Sequence, residues 1–140
     1  MDDAIRQEIE QWLLKSQRDL RAAHLLFESE EALLDVVVYH CQQSAEKALK
    51  AYLTYRNVVF QKTHDLDVLL NLCLPFELGF GELREIAKTL TPYAVEFRAL
   101  LNPGRICPHP QPFSPRRREL EFMFPLLLGY RVHTSPETLI

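Results

Sequence analysis

The sequence predicts an all-α protein, an up-and-down bundle of four to five helices. Three observations carry that prediction. Apolar residues in the first hundred positions recur at three- and four-residue steps, and no run alternates apolar and polar residues over the length of a strand. Of the nine prolines, only Pro75 and Pro92 fall within residues 1–100, and the other seven lie in 101–140. The shift in proline divides the chain into a helical bundle over 1–100 and a Pro-rich loop with a short C-terminal helix or tail over 101–140, both expected in one domain. At 140 residues and 47% hydrophobic content, the chain can bury a core without metals or disulfides.

Ile5, Ile9, Trp12, Leu13, Leu20, Ala23 and Phe27 mark a first long amphipathic helix, with Arg6, Gln7, Gln11, Lys15, Arg18 and Arg21 between them. An acidic break, Glu28-Ser29-Glu30-Glu31, precedes a second helix over 34–53. There Leu34, Val37, Val38, Cys41, Ala45, Ala48, Leu49 and Tyr52 share one stripe at about 100° per residue. Tyr39, His40, Gln43, Glu46, Lys47 and Lys50 occupy the opposite face. Thr63 reads as the N-cap of a short third helix that runs to about Leu74 and stops at Pro75. A loop follows over 76–81, and then a fourth helix over 82–100 in which Pro92 either kinks the rod or starts a new one, because proline lacks the amide that bonds back one turn. Asn102-Pro103-Gly104 is turn chemistry, and Pro108, Pro110 and Pro112 impose an extended loop. Ser114-Pro115 then opens a last helix over 116–128, interrupted by Pro125.

Charge narrows the function. Lys+Arg 16 against Asp+Glu 19 gives a net charge of -3, which excludes holding nucleic acid by bulk positive charge. Residues 101–140 carry five Arg and three Glu, net +2, so residues 1–100 carry -5. Cys41, Cys73 and Cys107 form no CxxC pair and fit reduced thiols. The charged N-terminus lacks the apolar region of a signal peptide, and no stretch has the roughly 18 apolar residues of a membrane span, so a cytoplasmic protein is expected, away from membranes. His24, His40, His64, His109 and His133 form no HxxxH or HxH pair, so no metal site is expected. Gly-rich phosphate loops, Walker motifs and GxSxG are absent from the sequence.

One surface of the second helix stands out. His40, Gln43, Lys47 and Lys50 step by three or four residues and offer an imidazole, an amide and two ammonium groups on one strip, a ligand-binding face suited to phosphate. The plainer reading is a solvated face with Glu46 and Lys50 as an i,i+4 pair. Asp19 lies close to the apolar stripe of the first helix, so its carboxylate needs a cation, and Lys47 or Arg98 can supply one as a structural tie. His64 follows the cap and is expected to orient that turn through a backbone contact. Arg98 either meets the negative end of its helix dipole or clamps a phosphate. Arg116-Arg117-Arg118 is a solvated face or an RNA-backbone contact.

Trp12 with Asp19-Leu20 and Ala22-Ala23, the run from Tyr39-His40-Cys41-Gln42-Gln43-Ser44-Ala45-Glu46-Lys47-Ala48 to Leu53, and Thr63-His64-Asp65-Leu66 with Leu69-Leu70 together resemble the HEPN family. These are small helical-bundle proteins of prokaryotes, described as nucleotide-binding or as RNase toxins. Tyr93-Ala94-Val95-Glu96-Phe97-Arg98 extends the similarity, which covers residues 5–98. The resemblance implies a four- or five-helix bundle, commonly a homodimer, often encoded beside a minimal nucleotidyltransferase. In its toxin branch an Arg, a short polar gap and a His near the end of the bundle form the RNase site across the dimer. Here Arg98 is followed by Ala99-Leu100-Leu101, Arg105 precedes His109 by only Ile106-Cys107-Pro108, and Arg18 and His24 sit in the first helix. Three readings follow. The first is a nucleotide-binding or interaction module working with a nucleotidyltransferase, without turnover and with no cofactor beyond a nucleotide. The second is an RNase toxin using Arg98 or Arg105 with His109, and the third is a structural adaptor. Val36 and Leu25, apolar but off the main stripes, favour a homodimer.

Overall fold

The computed structural model describes residues 1–31 and 33–95, and every regular element among them is helical. Helix α1 spans Asp3–Glu28, opened by the Asp2 carboxylate, which accepts the Ala4 N–H at 3.2 Å. Ser29 closes it by donating both its N–H and its hydroxyl to the Leu26 carbonyl. Helix α2, Leu34–Tyr55, is the single rod expected over 34–53. It runs antiparallel to α1, since Ser16 meets Ser44 while Asp19, further along α1, meets His40, further back on α2. Asn57 ends the rod in the left-handed region at φ 55, which asparagine tolerates, and the Val58 N–H returns to the Leu53 carbonyl.

Helix α3 covers Leu66–Cys73, and its cap is Asp65 instead of Thr63. The Asp65 carboxylate reaches the amides of Asp67 and Val68, whereas the Thr63 hydroxyl accepts the Asp65 N–H just before the helix. A 3₁₀ helix, Leu78–Leu83, takes up the end of the expected loop over 76–81 and the first two residues of the expected fourth helix, with the Glu77 carboxylate accepting the Gly79 N–H at its start. Helix α4 is Arg84–Leu90, within the span 82–100 read from the sequence, of which 96–100 lie outside the described residues. It gives way to a turn at Thr91-Pro92, with 93–95 helical again. Proline has no amide to extend the ladder, so the Ala94 and Val95 amides turn back to the Thr91 and Pro92 carbonyls. The Thr91 hydroxyl bonds the Ala87 carbonyl and accepts the Leu66 N–H, joining the end of α4 to the start of α3.

The core gathers Val37, Val38, Cys41, Leu49 and Leu53 of α2, Leu66, Leu69, Leu70 and Cys73 of α3, then Phe80, Ala87, Leu90 and Tyr93. Each of the fully buried leucines contributes roughly 1.5–3 kcal/mol by leaving water. Cys41 is a core residue, as its place on the apolar stripe predicts, and burial pushes its thiol up to about 12. Two stripe assignments need correction: Leu13 of α1 and Ala48 of α2 face outward. Helix α1 packs chiefly on α2, and only its Ser16 and Ala23 are fully buried. Arg84 adds a polar tie between α3 and α4, donating to Asp67 at 3.2 Å and Asn71 at 2.8 Å. Among the described residues, no helix is long and apolar enough to cross a membrane.

Candidate functional site

Every residue of the expected strip lies on α2, but the strip does not face open solvent. His40 and Lys47 turn toward Asp19 of α1, and Ser44, on the same side of the rod, toward Ser16. Lys50 sits over the Trp12 ring of α1, 5.5 Å from its centroid. The polar side of α2 therefore lies along the seam with α1 at His40, Ser44, Lys47 and Lys50 and meets His64 at Gln42 and Glu46, while its apolar side joins the core. This corrects the expectation of a free cationic face: Gln43 and Lys50 are buried, and the Glu46–Lys50 pair, read as solvated, is buried as well.

Two clusters form along this helix. In the first, His40 Nδ1 donates to one oxygen of Asp19 at 2.9 Å, and the Lys47 ammonium bonds the other oxygen. The cluster lies at the rim of the seam, with side-chain exposures of 26% for His40, 20% for Lys47 and 14% for Asp19. The Tyr39 ring meets the imidazole edge-on at 5.4 Å. Burial alone raises the Asp19 carboxyl, but the hydrogen bonds from His40 and Lys47 and their charges outweigh it and hold the group below its ordinary value of 3.8. Lys47 is the cation that the position of Asp19 demanded. Arg98, the other candidate, lies outside the described residues.

The second cluster centres on Glu46, at 5% side-chain exposure. Lys50 donates to it at 2.6 Å and Gln42 at 3.1 Å, and His64 Nδ1 lies 3.1 Å from the carboxylate. Gln42 also donates to the His64 carbonyl at 3.1 Å, and Gln43 donates to Gln42 at 2.7 Å. His64 is expected to orient its turn through a backbone contact; its ring instead meets the Glu46 carboxylate, and its own carbonyl accepts from the Gln42 side chain. Burial again raises the Glu46 carboxyl, and the bonds from Lys50, Gln42 and His64 overcome it, so the group stays below its ordinary value of 4.5. Gln42 and Glu46 are the members that sequence reasoning missed as a hub. Their signal was the i,i+4 series Gln42, Glu46, Lys50. Among the described residues, no buried side-chain polar atom lacks a partner. None of their His, Cys, Asp and Glu side chains cluster in threes fit to hold a metal ion.

Arg105, His109, Cys107 and Arg116-Arg117-Arg118 also lie outside the described residues, together with the tail after Asn102. A family model for the HEPN domain matches residues 9–100, a span that holds both clusters. The chain belongs to the HEPN domain family. No curated protein and no solved structure matches this HEPN chain. The motif residues of the HEPN resemblance thus acquire physical jobs. Asp19 and Lys47 tie α1 to α2, and Glu46 with His64 ties α2 to the entry of α3.

Proposed function

We propose that this HEPN-family chain is a nucleotide-binding or interaction module, acting as a homodimer with a nucleotidyltransferase partner and without turnover of its own. The observation that carries the reading is the rim cluster of Asp19, His40 and Lys47, where one carboxylate holds an imidazole and an ammonium at partly accessible positions. Anionic ligands meet fixed donors there, and fixed donors bind without first losing side-chain freedom. Of the four strip residues, His40 and Lys47 are the ligand contacts in this reading, while Gln43 and Lys50 stiffen the seam behind them. Leu13, Leu14 and Leu25, exposed on α1, supply apolar surface for a second copy.

The test is calorimetric titration of the purified chain with ATP, for the unmodified protein and for Lys47→Ala. Binding that weakens in the variant supports the reading, whereas unchanged affinity removes the seam from the site. The same preparation incubated with RNA addresses the competing one: cleavage abolished by His109→Ala replaces the binding module with an RNase.

A further inference from the structure

We propose that the end of the bundle around Arg56 and Phe76 docks a peptide segment of another protein in which one carboxylate stands among large apolar side chains. The proposal is independent of the nucleotide reading, since Arg56 closes α2 about 24 Å along the rod from His40, at 1.5 Å per residue. The Arg56 guanidinium lies 4.5 Å from the centroid of the Phe76 ring. Arg6 and Arg84 each hold a carboxylate, at 3.9 and 3.2 Å, but Arg56 holds none among the described residues. A cation at the end of α2 meets the negative end of the helix dipole, so its charge by itself marks nothing.

Its surroundings do. Tyr55 adjoins Arg56 and is 54% exposed, Phe76 is 39% exposed, and Leu78, two residues further on, is 83% exposed, so large apolar side chains stand in water beside the guanidinium. Half-buried Tyr52 meets Tyr55 at 6.4 Å and the buried Phe80 at 4.8 Å, which ties this surface to the core. Exposed aromatic and arginine side chains on a fixed base have the composition of an interface centre. Charge then selects the occupant. A guanidinium presents its donors as a planar fork that matches a carboxylate, and its seat on a ring reduces the freedom lost on binding. A polyanion is a poorer match. The segments that build this end, 52–62 and 76–82, hold two cations, Arg56 and Lys62, against two carboxylates, Glu77 and Glu82, and residues 1–100 carry -5. A nucleic-acid strand or an anionic membrane draws on a run of cations, and these segments have none.

The experiment selects displayed random peptides on the full chain and measures a synthetic peptide from the enriched pool by fluorescence anisotropy. Enriched sequences should share an aspartate or glutamate beside a leucine or an aromatic residue. Arg56→Gln and Leu78→Ser should each weaken that peptide by at least about tenfold, and Lys62→Ala by less than about twofold. Replacing the acid of the peptide by its amide probes the same contact on the unmodified protein, apart from any loss of folding, and should weaken binding by a similar factor. A pool without enrichment, enriched sequences that lack an acid, or an amide peptide that binds as well overturns the proposal. So does an oligouridylate or a phosphatidylserine vesicle that binds the unmodified chain and is released by Arg56→Gln, which makes the face a polyanion site. A homodimer that dissociates in Arg56→Gln gives the face to a second copy and overturns the proposal too.

Discussion

Helix α2 carries two carboxylate clusters built from the same parts, one carboxylate, one histidine and one lysine, and they differ in what encloses them. Glu46 takes Lys50 and Gln42 from its own helix and His64 from the approach to α3, and the rest of the bundle closes over it. Asp19 reaches across from α1 to His40 and Lys47, and the closure stops at the surface. The same groups thus stand in two environments. A sealed ion pair is tolerated only when every partner is present, because its charges have lost water. A rim pair gives up less solvation and keeps atoms that a ligand can touch.

The comparison breaks most severely at Glu46. Glu46→Ala leaves the Lys50 ammonium buried beside Trp12 without its carboxylate, and urea unfolding should show a loss of about 3–5 kcal/mol. Acid probes both clusters at once. Both carboxyl groups titrate below their ordinary values in the folded chain, so the stability they add is present above pH 4.5. It is lost as the pH falls through each folded value, with Glu46 leaving its unfolded value of 4.5 first and Asp19 its value of 3.8 later. Urea midpoints measured from neutral pH down to about 2 should decline over that window, and Glu46→Gln should flatten the upper part of the decline. The smallest effect belongs to the seam's neutral contact. Ser16 donates to the Ser44 carbonyl at 2.8 Å, so Ser16→Ala should lower stability by about 0.5–1.5 kcal/mol in the same assay.

Much of this was legible in the residues. The three- and four-residue steps located α1 and α2 along the chain, and the position of Asp19 beside an apolar stripe called for a buried partner that Lys47 supplies. Periodicity groups side chains on a face but does not say which neighbour covers that face. The strip of His40, Gln43, Lys47 and Lys50 therefore read as open, although α1 lies along it. Thr63 and Asp65 are both good capping residues two positions apart, and only the path of the backbone chooses between them. Pro92 marks the end of α4 in the sequence, but a proline alone does not say whether the rod bends or stops, and the turn at Thr91-Pro92 is set by the path of the backbone.

Trp12 is the only tryptophan in the chain, and its half-buried ring lies at the seam with the Lys50 ammonium beside it. The protein consequently carries its own optical gauge. An indole relieved of a neighbouring cation and opened to water changes its emission, so separation of α1 from α2 is readable in fluorescence without any label, and apart from unfolding of the α3–α4 side.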